Sequence, residues 1–251
     1  MERLWSLELG TWSLRLRPGL KEAARPIDKA GQVRYQCRVN IDSVSDSSLT
    51  LPRRQRERLQ RRRDIFQAAE RVFAAKSFHG ASIEEIARAA EYGTGTVYLY
   101  FKDKETLYIE LMTEKVGELY AHVRHRIGDE KDPVKALRRL IEARMEFFDG
   151  NRAFFQIYTR EGMDWWWLKS DKWAGVRKLY EGYIDLVSLL MKQGQRRGLL
   201  RKGDSRNYAL ALSGMMVQLT QDWLEHAAER PLTDSAEFVA ELFLRGAQQK
   251  R

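Results

Sequence analysis

An apolar rhythm of 3.6 residues, sustained from just after Pro52 almost to the C-terminus, is the feature that most limits what this chain can fold into. An arginine-rich start, with seven arginines and one glutamate from Arg53 to Arg63, runs into Ile65, Phe66, Ala69, Val72 and Phe73. Their i, i+1, i+4, i+7, i+8 spacing is one face of an amphipathic helix. Phe78-His79-Gly80 stops it. Ser82 is a good N-cap for a short second helix, with Glu84 and Glu85 in a first turn where carboxylates suit the helix dipole, and Ile83, Ile86, Ala87 and Ala90 apolar. A break at Glu91-Tyr92-Gly93 precedes a third short helix ending at Phe101. Asp103 caps a fourth, whose apolar face carries Leu107, Leu111, Leu119 and Val123 at helical spacing.

The rest reads the same way. Pro133 sits where a helix start needs no N–H, and Val134, Leu137, Leu140, Ile141 and Phe148 mark the buried face that follows. An aromatic segment from Phe154 to Trp167 comes next, then a long helix carrying Val176, Leu179, Tyr180, Tyr183, Val187 and Leu190. Glycines between Gly194 and Gly203 stop that helix, and two last helices, near 204–229 and 233–249, are divided by Pro231. No β-rich run exists past residue 52. The expected fold class is all-α, with about nine helices.

Composition narrows the classes. With 251 residues, 43% of them hydrophobic, the chain can hold a small domain joined to a larger one. A net charge of +9 suits a polyanionic partner, either nucleic acid or an anionic membrane surface. One cysteine, Cys37, excludes an internal disulfide, and four histidines without paired spacing argue against a metal site. No apolar run approaches the ~20 residues of a membrane span, and the N-terminus lacks the pattern of a signal peptide, so a cytoplasmic protein without cofactor or metal is expected. Residues 1–52 stand apart. Trp5, Leu7, Leu9, Trp12, Leu14 and Leu16 alternate weakly with polar residues before glycine, proline and a Ser/Asp cluster intervene. They read as an extension with little fixed structure; the alternative is translation starting near Val44 or Leu49.

The segment from Ile65 to Glu105 carries an aromatic-Gly hinge (Phe78-His79-Gly80), an Ile86-Ala87 pair, Gly95-Thr96-Val97-Tyr98-Leu99-Tyr100-Phe101, and Lys104-Glu105 opening the next helix. Several spaced elements agreeing in order make this segment resemble the N-terminal DNA-binding domain of the TetR family. The residue chemistry supports the same reading. A helix-turn-helix needs a small residue where its helices cross, which Ala87 supplies, and inward apolar residues on the second helix, which Val97 and Phe101 supply four apart. Thr94, Thr96, Tyr98 and Tyr100 are left on the outer face, where hydroxyls can meet phosphates and base edges in a major groove. Gly95 costs the helix about 1 kcal/mol against Ala, tolerable where backbone must approach DNA.

The resemblance implies an N-terminal three-helix helix-turn-helix domain (53–108) followed by a larger ligand-sensing and dimerisation domain (109–251). It implies that Thr94, Gly95 and Thr96 open the recognition helix at base edges and phosphate, and that Tyr98 and Tyr100 contact bases or backbone. Lys104 and Ser82 would each bind a phosphate, and Arg61, Arg62 and Arg63 would add charge beside the groove. Two departures stand in the turn, where the family has glycine at the position of Glu91 and a serine-like cap at that of Gly93. Glu91 is expected to need left-handed geometry, costing roughly 1 kcal/mol.

For the larger domain, Phe148, Phe155, Tyr158, Trp166, Tyr183, Met216 and Trp223 suit an apolar pocket between helices, with ordinary core packing as the alternative for each. Trp165-Trp166-Trp167 cannot all face one core, so one of them is expected at a surface. The last two helices carry Ala209, Leu212, Met216, Leu219 and Trp223, and Val239, Leu242, Phe243 and Gly246, at helical spacing. In similar proteins these helices pair with their copies as a four-helix bundle. The expected partners are therefore double-stranded, pseudo-palindromic operator DNA, a small and largely apolar effector that releases a repressor from it, and a second copy of the chain. No membrane partner is expected. A helical enzyme, or a scaffold at a membrane surface, fits less well: Asp149, Glu161, Asp164 and Asp171 pair at no helical spacing as catalytic acids.

Overall fold

The computed structural model describes residues 52–160, 170–227 and 230–247. The extension expected over 1–52 (all but its last residue) and the run Trp165-Trp166-Trp167 lie outside the described residues. Among those described there are nine α-helices and no strand. They are α1 (Arg53–Gly80), α2 (Ile83–Ala89), α3 (Thr94–Tyr100), α4 (Lys104–Ile127), α5 (Pro133–Gly150), α6 (Arg152–Arg160), α7 (Ala174–Arg196), α8 (Ser205–Asp222) and α9 (Ala236–Ala247). Tight 3₁₀ turns at Asp171–Trp173 and Leu232–Ser235 lead into α7 and α9, and α8 widens into a π-turn over Trp223–Ala227.

Three helices start on an aspartate. Asp103 accepts from the Thr106 amide (2.7 Å), Asp132 from those of Val134 and Lys135 with Pro133 following, and Asp204 from those of Arg206 and Asn207. Each satisfies N–H groups that a helix start leaves orphaned. α2 opens on a reciprocal pair: the Ser82 hydroxyl accepts from the Glu85 amide and the Glu85 carboxylate accepts from the Ser82 amide, both at 3.2 Å. α4 closes on Gly128 at φ 55.

α5 is the axis of the larger part. Ala136, Leu137, Leu140, Ile141, Ala143, Arg144, Met145 and Phe148 are all buried, because α4, α6, α7, α8 and α9 each pack against this helix. α6 also lies against α1, and α4 against α1. The expected domain boundary at 108/109 falls inside the unbroken α4, which is shared by both parts.

The helix stop falls within the expected Gly194 to Gly203 stretch. α7 runs through Gly194 to Arg196, and the chain turns at Gly198 with φ 70. Gly194 itself serves packing, since a Cβ there would lie 2.5 Å from a methyl of Leu200. The kink inside the last turn of α1, which forms the hinge, also carries a strain that composition did not show: Ser77 sits at φ 63, ψ 170, a region that in practice belongs to glycine. Replacing Ser77 by Gly relieves a penalty of about 1–3 kcal/mol, offset by glycine's larger unfolded-state entropy of roughly 1 kcal/mol. Ser77→Gly is expected to raise the midpoint of urea unfolding, read by far-UV circular dichroism; an unchanged or lower midpoint contradicts the strain.

Candidate DNA interface and sensor core

The interface is built on two helices of seven residues each. α2 buries Ile83, Ile86 and Ala87, and α3 buries Val97, with Phe101 closing it against Phe66 at a ring separation of 5.2 Å. α2 ends in a paired-bond cap: the Glu91 amide donates to the Arg88 carbonyl (3.1 Å) and the Tyr92 amide to that of Ala87 (2.9 Å). That geometry puts Glu91 at φ 60, the left-handed conformation expected from sequence. The Tyr92 hydroxyl donates to Asp64 on α1 at 2.7 Å, and this bond is the main reason its pKa is raised. The turn is thus tied at backbone and side chain to α1.

With Val97 and Phe101 inward, α3 presents Gly95, Tyr98 and Leu99 outward; Tyr98 is 51% and Leu99 80% exposed. Thr94, Thr96 and Tyr100 are half-buried along its edges. No atom lies within 4 Å of where a Gly95 Cβ would stand. Leu99 was not singled out in the sequence reading, although it stands two residues from both inward side chains and so had to face out.

The basic residues divide. Arg61 and Arg63 are exposed on α1, and the Arg61 charge is felt at the Tyr92 hydroxyl in the turn before α3. Arg62 turns back to α4: it donates to Glu114 (2.8 Å) and Glu110 (3.2 Å) and lies 4.2 Å over the Phe66 ring. Lys104 Nζ donates to the carbonyl oxygens of Phe78 (2.7 Å) and Ala81 (2.8 Å) and stands 4.6 Å over the Phe78 ring. It therefore staples the strained hinge to the start of α4. The Ser82 oxygen is taken as a cap, which leaves its hydrogen free to donate.

In the larger part, Phe148, Phe154 and Phe155 are buried together, with Phe148 and Phe155 edge to face at 4.4 Å and Tyr158 within 6.3 Å of all three. Met216 is buried on α8. Trp223 is buried where α8 ends: its indole N–H donates to the Arg230 carbonyl at 2.6 Å and Arg152 covers its ring at 4.5 Å. Tyr183 stacks on Tyr120 at 5.1 Å and accepts a bond from a residue the sequence reading passed over, Arg144 (3.0 Å). Trp166 lies outside the described residues.

Two family models match the chain: residues 65–111 fit bacterial regulatory proteins of the tetR family, and residues 130–247 fit the tetracyclin repressor-like C-terminal domain. The chain belongs to the TetR family of DNA-binding transcription regulators. It is 23% identical over 190 residues to the fatty acid metabolism regulator protein of Bacillus subtilis, covering 74% of this chain and 95% of that one. Among solved structures, FadR of Bacillus subtilis in complex with stearoyl-CoA superposes with a TM-score of 0.64 (23% identity, 74% of this chain, 98% of that one). AibR in complex with isovaleryl coenzyme A and operator DNA does so with a TM-score of 0.64 (21% identity, 72% and 97%).

Because Lys104 satisfies two carbonyls at the hinge, its removal reaches beyond any phosphate contact. Lys104→Ala should lower unfolding stability by about 1–3 kcal/mol, the range for charge-assisted bonds whose loss strands their partners. Denaturant titration of the purified variant checks this; wild-type stability would mean the staple contributes nothing.

Proposed function

We propose that this TetR-family regulator is a cytoplasmic, homodimeric repressor that a small, largely apolar ligand carrying an acyl chain releases from a pseudo-palindromic operator. The observation that carries the reading is the division of α3 into a buried Val97–Phe101 pair and an outward Gly95, Tyr98 and Leu99. A short helix held so firmly from behind, with its other face open, is a reading head for the major groove. In this reading residues 53–108 bind DNA and 109–251 sense ligand. Thr94, Thr96 and Tyr100 flank the contact, and Ser82, Arg61 and Arg63 meet phosphates. Arg62 acts through α4, and Lys104 keeps one further N–H for a phosphate after its two carbonyl bonds.

Acyl ligands are supported by the aromatic core at α5–α6 and by the stearoyl-CoA and isovaleryl coenzyme A complexes of the similar structures. A path from ligand to DNA is also present. α6, which carries Phe154, Phe155 and Tyr158, packs on α1. Lys172 before α7 bonds Glu105 on α4 at 2.7 Å, and Trp173 meets Tyr108 edge to face at 5.6 Å. A binder whose hold weakens with ligand acts most directly by blocking a promoter, which is repression.

The dimer seam follows from exposure on the last two helices. Ala209, Leu212, Met216, Val239 and Phe243 are used inside the protomer. Leu210, Ala211 and Gly214 on α8, and Phe238 (59% exposed), Leu242 (54%) and Gly246 on α9, form an adjacent outer strip. Two copies joined there would set recognition helices ~34–36 Å apart, one DNA turn.

Fluorescence anisotropy on DNA flanking the gene tests the reading. Tyr98→Ala should weaken specific binding by about 1–3 kcal/mol, the scale of a good base contact, and a ligand with an acyl chain should release the wild type. No site-specific binding across a salt series would sink it. Phe238→Asp should shift the protein from dimer to monomer in analytical ultracentrifugation; a variant that stays dimeric puts the seam elsewhere.

A further inference from the structure

At the centre of the larger part a guanidinium is enclosed with no carboxylate among the described residues to answer it. Arg144 is 3% exposed and stands on the buried stripe of α5. Its Nη1 donates to the hydroxyls of Tyr183 on α7 (3.0 Å) and Ser213 on α8 (3.2 Å), while its Nε has no hydrogen-bond partner. No acidic side chain among the described residues is within ion-pair distance. Burial works against the charge, the hydroxyls of Tyr183, Tyr158 and Tyr120 favour it, and the balance raises its pKa. Burial also pushes the Tyr120 and Tyr158 hydroxyls up, so both are neutral near pH 7 and supply dipoles, not an anion. The faces of Tyr183 and Phe148, 5.1 and 5.6 Å from the guanidinium carbon, return part of the lost solvation.

A buried cation without its anion is among the costlier arrangements a core can hold, and a guanidinium with an unpartnered Nε beside neutral hydroxyls can take a carboxylate. We propose that Arg144 is the receptor for the carboxylate of an amphiphilic acid, whose apolar body lies along the Phe148, Phe154 and Phe155 rings. The inference rests on the reading of this part as the effector-sensing domain and names the ligand's chemical class: the group at Arg144 is an anion. A neutral thioester carbonyl would leave the charge unanswered. The Tyr158 and Tyr120 hydroxyls complete the seat, one from α6 and one from α4. The seat therefore draws on the helix that packs against α1 and on the helix that begins at the Lys104 staple.

Isothermal titration of the full-length protein with hexanoate, decanoate and hexadecanoate, each beside its methyl ester and its coenzyme A thioester, tests the assignment. At least one free acid should bind about tenfold or more tightly than its methyl ester, ~1.4 kcal/mol. In Arg144→Met, which replaces the charge by a flexible apolar chain, the preference should vanish while the thermal midpoint stays at or above that of wild type. Equal binding of acid and ester by wild type, no binding of any acid, an undiminished preference in Arg144→Met, or a variant that does not fold would each overturn the proposal. The acid-to-ester comparison on wild type needs no variant. Operator release, measured in parallel, separates the two readings: thioesters that release DNA while the acids fail to bind leave the ligand-released repressor standing and remove only the carboxylate.

Discussion

Two helices of seven residues cannot stand alone in water, because isolated helices shorter than ~12–15 residues rarely repay their nucleation. α2 and α3 therefore exist only as far as Ile83, Ile86, Ala87, Val97 and the adjoining Phe101 are buried against their neighbours. That burial fixes the rotation of α3, and the rotation decides which side chains face outward. Tyr98 and Leu99 are exposed because Val97 and Phe101 are not. The same dependence explains the bonds spent on this small region. The reciprocal Ser82–Glu85 cap, the Tyr92–Asp64 bond and the Lys104 staple each hold a loop that short helices could not hold themselves.

Some of the charge that composition offers to a polyanion is consumed inside the molecule. Arg62 bridges α1 to Glu110 and Glu114 of α4, and Lys115 on α4 reaches Glu70 on α1 at 3.2 Å. These partly buried pairs oppose any sliding of α1 along α4. Since α4 is continuous from the hinge at Lys104 to Ile127, a displacement at its far end has one stiff body through which to act on the DNA-binding turn. Movement of α6 reaches α1 more directly, through the packed face they share.

Much of this was legible in the sequence, and the legible part is the local part. The caps at Ser82 and Asp103, the Val97–Phe101 pair, the left-handed Glu91 and the helical class all follow from spacing within a few residues. What escaped depends on contacts distant in sequence. That Lys104 answers the carbonyls of Phe78 and Ala81, that Arg62 faces α4, and that Gly194 makes room for Leu200 cannot be read from a helix period. Ser77 hid because serine is ordinary near a helix end and only its φ betrays it. Leu99 and Arg144 are different, since both could have been found. Leu99 breaks the polar outer face of α3, and Arg144 stands among Leu137, Ile141 and Phe148 on the apolar stripe of α5. A residue of the wrong polarity on a strongly periodic face is the signal in both cases.

An unanswered charge also bears on how such a molecule could switch. A ligand shifts a conformational equilibrium only by its differential affinity for the two states, and for regulators coupling is typically 1–3 kcal/mol. An apolar tail in an apolar core discriminates weakly, because many packings accept it at similar cost. A charge pair in a low-dielectric interior is sensitive to sub-ångström changes in its seat, and so can favour one packing of α4, α5 and α6 over another. Arg144 lies where that sensitivity matters, with Tyr120 on α4 and Tyr158 on α6 among the groups its charge feels. α6 then meets α1, and α4 carries the Lys104 staple, so the two helices that bear Tyr158 and Tyr120 lead to α1 and to the hinge. An effector that answered the charge would pull on both at once.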